Sequence, residues 1–101
     1  MKALRLHAAG DLRLVDEPAP VPGPDEALVR VTAVGICGSD LHWYGESGIG
    51  GVPLAQPLVL GHEAAGVIAD GPRAGQRVAI DPSIPCGACE TCDLGRGHLC
   101  P

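Results

Sequence analysis

Between Lys2 and His7 (Lys-Ala-Leu-Arg-Leu-His) apolar and polar positions alternate, the period of a half-buried β-strand. The pattern resumes at Leu12–Val15 after Gly10-Asp11, a turn dipeptide, so the two runs predict a β-hairpin. Prolines at 18, 20, 22 and 24 then predict an extended connector. Glu26–Val34 has the β-branched content of a central strand. Ser39 is placed to cap a short helix from Asp40 towards Tyr44. Gly45–Pro57 is glycine-rich and predicts a mobile loop, after which Val59-Leu60 leads into Gly61. Glu63–Ala69 and Gln76–Asp81 predict two more strands, joined by a turn at Asp70-Gly71-Pro72. From Pro82 onwards the pattern is loop, with one helical turn at Glu90–Leu94. Five or six short strands with Gly/Pro turns predict a mainly β fold, a small, partly open β-barrel with short helices.

Composition changes this picture little. Gly (15) and Pro (10) make up about a quarter of the 101 residues, a share that on its own would suggest disorder. The evenly spaced Val, Ile, Leu and Ala runs argue against disorder, because they supply apolar surface for a core. The length fits one domain, residues 1–101, with a small core that a metal clip would help to hold. The net charge of −5, with only seven Lys and Arg, offers no basic stripe for nucleic acid. No apolar stretch has the length of a membrane span, and no signal-peptide layout opens the chain, so a cytoplasmic protein is expected. The sequence stops directly after its last cysteine, which suggests a fragment or an isolated domain of a longer protein.

Cysteine placement carries the chemistry. Cys86, Cys89, Cys92 and Cys100 follow the spacing C-x2-C-x2-C-x7-C. Four thiolates close a tetrahedron around one ion, and Zn²⁺ is the usual occupant of such a closed, structural site. Gly87, Gly95 and Gly97 let the backbone turn around it. An iron–sulfur cluster is the sharpest rival, but the ferredoxin run closes with a three-residue gap where this one has seven. Disulfides would strand one of five cysteines. His98 lies inside the lobe and reads as a solvated loop residue.

A second group lies upstream: Cys37-Gly-Ser39-Asp40-Leu-His42 and then Gly61-His62-Glu63. Taken singly, Cys37 reads as a buried small side chain and His62-Glu63 as a surface ion pair. Ser39 reads as a helix cap, Asp40 as a first-turn carboxylate and His42 as a surface helix residue. A non-catalytic, zinc-stabilised binding module is the alternative that these readings support.

Taken together, the motif around Cys37, Gly61-His62-Glu63-Ala-Ala-Gly66 and the four-cysteine lobe resemble the zinc-dependent medium-chain alcohol dehydrogenases. The resemblance implies a GroES-like catalytic domain with its structural-zinc lobe at 86–100. It also implies a catalytic zinc held by Cys37 and His62, with a third ligand from Glu63, directly or intermittently, or from a later Cys or Glu beyond Pro101. It gives Ser39 the role of accepting the alcohol proton and His42 that of passing it towards solvent. Asp40 would orient His62. NAD(P) would be held by a Rossmann domain absent from this sequence, so the 101 residues alone are expected to be inactive. The partners implied are a small polyol or alcohol, the remainder of its own chain, and further copies in a homo-oligomer.

Cys37–Tyr44, Gly48-Ile49-Gly50 and Val78–Gly87 are similar to the sorbitol and L-idonate 5-dehydrogenase branch, whose reaction turns a polyol or secondary alcohol into a ketone. The short Asp70–Ala74 loop, and Gly75-Gln76-Arg77-Val78 in place of Gly-Asp-Arg-Val, depart from the branch away from the metal ligands.

Overall fold

A computed structural model describes all 101 residues. Eight strands, two short α-helices and one 3-10 turn follow in the order β1 (Lys2–Ala8), β2 (Asp11–Asp16), β3 (Val29–Gly35), α1 (Gly38–Glu46), β4 (Gly48–Ile49), β5 (Val52–Pro53), β6 (Leu58–Val59), β7 (Glu63–Ile68), β8 (Arg77–Ala79), α2 (Glu90–Asp93) and the 3-10 turn Gly97–Leu99. They form two antiparallel three-stranded sheets, β2-β1-β6 and β3-β7-β8, and the small β4-β5 ribbon. The sheets do not close on each other, which gives the partly open β architecture expected.

The first hairpin forms as the alternation predicts, with Ala8 opposite Asp11. Its two-residue turn is therefore Ala9-Gly10, one position before the expected Gly10-Asp11, and Gly10 takes the left-handed conformation that this turn needs (φ +71°). β3 starts three residues later than expected. Glu26 is used in a turn instead, where its carboxylate accepts the Gly23 N–H at 2.8 Å.

Two expectations are corrected. The N-cap of α1 is Cys37, not Ser39, and the helix extends to Glu46. The reason lies in Asp40, whose Oδ2 accepts the Cys37 backbone N–H at 3.0 Å and so fixes the helix start two residues earlier. The expected loop over Gly45–Pro57 contains the β4-β5 hairpin, turning on Gly50-Gly51, both at positive φ. A Gly-Gly pair between short extended runs is a hairpin signal that the glycine content masked.

The core is thin. Ala3, Leu6 and Ile68 are its buried apolar residues, and Gly66 is also buried in β7. Gly66 is required there, because a Cβ would sit 2.4 Å from the Arg30 carbonyl across the β3-β7 ladder. The accessible surface is 7448 Å², about 2,000 Å² more than a self-contained monomer of 10.3 kDa exposes. Val21, Ile36 and Ile84 are each more than three-quarters exposed. Two sheets with uncovered apolar positions thus frame the segments that carry the cysteines.

Candidate metal centres

The chain folds every metal-ligating candidate into one of two clusters. Cys86, Cys89, Cys92 and Cys100 form the first, with their sulfurs all within 4.8 Å of one another. The Cys86–Cys92, Cys89–Cys92 and Cys89–Cys100 sulfur pairs lie 4.0, 3.5 and 3.9 Å apart. Four sulfurs about 2.3 Å from a tetrahedral zinc would be about 3.8 Å apart, so the donor set fits that ion. All five cysteines of the chain are free of disulfides.

Local structure explains the convergence. Cys89 caps α2, which turns Cys92 back alongside it, and the 3-10 turn Gly97–Leu99 delivers Cys100. That turn was not foreseen; Gly95 at positive φ and Gly97 packed against Pro85 are its local causes. The sulfurs accept hydrogen bonds suited to thiolates: Ala88 N–H donates to Cys86 at 3.4 Å and Cys86 N–H to Cys100 at 3.3 Å. The Thr91 hydroxyl lies 3.0 Å from the Cys89 sulfur. This contact, followed by the Cys92 backbone N–H, pulls the Cys89 pKa down to about 6. His98 is exposed and stands outside the cluster.

The second cluster joins Cys37, His62 and Glu63, whose ligand atoms also lie within 4.8 Å of one another. Three elements build it. Cys37 sits at the start of α1, His62 in the turn between β6 and β7, and Glu63 at the first position of β7. Gly35 faces Glu63 in the β3-β7 register and leaves room for its carboxylate; a Cβ there would lie 2.5 Å from Oε2. Gly61, at φ +102°, turns the chain immediately before His62. Neither glycine was singled out from the sequence as shaping this site.

Asp40 is the buried carboxylate of the site. One oxygen accepts the Cys37 N–H, and the other faces His62 Nδ1 at 3.6 Å. A single side chain thus holds both the helix start that presents Cys37 and the outer nitrogen of His62. The neighbouring Ser39 hydroxyl and backbone N–H, followed by His62, hold the Cys37 thiol below its usual pKa. The His62 pKa is raised, first by its hydrogen bond with Cys37 and then by the Asp40 charge. The site is partly open, since the His62 side chain remains 40% exposed. His42 projects to solvent on α1 and pairs with Glu46 at 3.5 Å, a carboxylate that the i,i+4 spacing could have revealed.

Residues 23–100 match the family model for the alcohol dehydrogenase GroES-like domain. The chain belongs to this family. A sorbitol dehydrogenase of Bacillus subtilis is 45% identical over the whole chain, which covers 30% of that protein. The crystal structure of L-idonate 5-dehydrogenase from Escherichia coli superposes on the GroES-like fold with a TM-score of 0.79 at 34% identity, over 98% of this chain and 30% of that one. Galactitol-1-phosphate dehydrogenase from Escherichia coli superposes with a TM-score of 0.85 at 31% identity, over 99% and 30%. The chain thus spans about 30% of the length of these relatives, while nearly all of its own residues are matched.

Proposed function

We propose that these residues are the metal-binding catalytic part of a zinc-dependent dehydrogenase. Its reaction is oxidation of a polyol or secondary alcohol, sorbitol- or L-idonate-like, to a ketone, with hydride transfer to NAD(P). The observation that carries this reading is the convergence of Cys37, His62 and Glu63 above one buried aspartate. One thiolate, one imidazole and one carboxylate with an exposed side are the donor set of an open zinc site. The four-sulfur lobe has no open side and serves the fold.

Zinc bound by Cys37, His62 and Glu63 supplies a Lewis acid that lowers the pKa of an alcohol. The rest falls to the protein's own side chains. Asp40 keeps His62 turned so that its far nitrogen faces the cluster. Ser39, at the first turn of α1, takes the hydroxyl proton as it gives up its own, which His42 and Glu46 pass along the exposed face of the helix to solvent. The nucleotide is held by polypeptide beyond these 101 residues, which also covers the apolar positions left exposed here. The complete enzyme works in the cytoplasm as a homo-oligomer.

Two measurements test the proposal. Elemental analysis of protein purified without chelator is expected to give two zinc ions per chain. One ion, retained in His62→Ala, would favour the zinc-stabilised binding module instead. In the complete enzyme, sorbitol-dependent NADH formation is expected to vanish in Cys37→Ala while the fold persists. A folded Cys37→Ala protein with normal turnover overturns the reading.

A further inference from the structure

The two clusters share a local device. Cys37 and Cys89 are both helix N-caps with nearly the same backbone, φ −90° and ψ 157° for one, φ −102° and ψ 165° for the other. A hydroxyl residue follows each by two positions: Ser39 and Thr91. In the extended cap conformation the cysteine side chain folds over the first helical turn, where the side chain two residues on can reach its sulfur. At Cys89 the Sγ to Thr91 Oγ1 distance is 3.0 Å, with both residues half-buried. A metal-binding sulfur is a thiolate and only accepts, so in that state the hydroxyl donates.

Thr91 differs from the lobe's other polar donors. Those to Cys86 and Cys100 are backbone N–H groups. The Thr91 hydroxyl is a side-chain donor and can be removed without touching the backbone. The Thr91 carbonyl separately accepts the Arg96 N–H at 2.7 Å, a bond that survives any side-chain change.

We infer that Thr91 is a positioning residue of the four-sulfur site, its hydroxyl orienting the Cys89 sulfur and setting how tightly the lobe holds zinc. The inference rests on the lobe being a zinc site. Without the hydroxyl the Cys89 side chain rotates more freely, so the tetrahedron must be assembled at each binding event. Loss of an outer hydrogen bond of this kind typically weakens metal affinity about 10- to 100-fold.

The test compares wild type, Thr91→Val and Thr91→Ser in a Cys37→Ala background, where only the lobe is expected to keep metal. Valine preserves the shape without the O–H; serine keeps the O–H. Zinc affinity is read by competition with a chromophoric chelator, and the thiolate-to-metal charge-transfer band in the Co²⁺-substituted protein. Thr91→Val is expected to bind zinc about 10- to 100-fold more weakly, with its band moved to lower energy. Thr91→Ser is expected to match wild type in both. Affinity within twofold of wild type in Thr91→Val, with an unmoved band, overturns the inference and leaves the zinc reading standing. Equal weakening in Thr91→Ser overturns it too, because shape and not the hydroxyl would then be responsible. A Cys37→Ala parent that takes up no zinc overturns the zinc reading itself, and the inference with it.

Discussion

The two cysteine-bearing regions solve the same problem at different range. The lobe gathers four like ligands from residues 86–100, and its turns are made by the intervening residues themselves. The upstream cluster draws three unlike side chains from a helix cap, an interstrand turn and a strand end, with two glycines and an aspartate shaping the space around them. A closed site needs only local chain geometry. An open site needs the whole fold around it, because the position left free for a reactant cannot help to hold the ligands. Damage should therefore stay local in the lobe and spread to the upstream site from several directions.

The largest effect should come from the lobe. Structural zinc in such sites contributes on the order of 10 kcal/mol, comparable to a small domain's whole stability. Cys89→Ala is expected to make residues 82–101 cleavable by a protease that spares the wild type. Equal resistance would mean the lobe holds itself without metal. Next comes Gly66→Ala. Its Cβ would meet the Arg30 carbonyl, which belongs to backbone and cannot swing aside. A loss of about 1–3 kcal/mol is expected, visible in calorimetry as a lower Tm.

Gly35→Ala should separate the two regions cleanly. Its methyl group collides with Glu63 on the upstream side and touches nothing in the lobe. Zinc content is expected to fall from two ions towards one, with protease resistance of 82–101 unchanged. Two ions retained would show that Glu63 is dispensable as a ligand.

The smallest expected effect concerns Arg5. Its guanidinium bonds the Glu17 carboxylate and also donates to the Pro57 carbonyl at 3.2 Å, just before β6. The bond from Arg5 holds the Glu17 pKa below its usual value. A carboxylate with a lowered folded-state pKa stabilises the fold above its unfolded pKa and loses that contribution as pH falls. Arg5→Met should thus lower the Tm slightly at pH 7. The gap from wild type should shrink as pH falls below about 4.3, down to the share that the Pro57 contact contributes. A gap independent of pH would assign the effect to the Pro57 contact alone.

These contrasts also explain what could be read from the sequence. The four-cysteine cluster was legible because its residues and their spacing are one contiguous motif. Cys37, His62 and Glu63 were legible as residue types, and the fold brings them together. Their supports were hidden. Gly35 matters through a register pairing with Glu63, and no local pattern announces that partner. The start of α1 was placed two residues late because Ser39 is the better cap by type, whereas Asp40 at the third helical position pulls the cap back to Cys37. The β4-β5 ribbon was hidden because glycine signals both loops and tight hairpins, and only the pairing distinguishes them.

The β1-β6 pairing bears on how the molecule reaches this state. Arg5 and Pro57 are 52 positions apart, and β6 is only two residues long, so little sequence-local structure can hold it in place. The segment that leads into His62 is anchored by the pairing of Leu58–Val59 with Arg5 and Leu6 of β1, far away in sequence. Late, long-range pairings of this kind are slow to form. The lobe needs only the turns between Cys86 and Cys100, whereas the upstream cluster waits for the long-range β1-β6 pairing. A newly made chain should therefore pass through a form with one metal bound and the other site still unassembled.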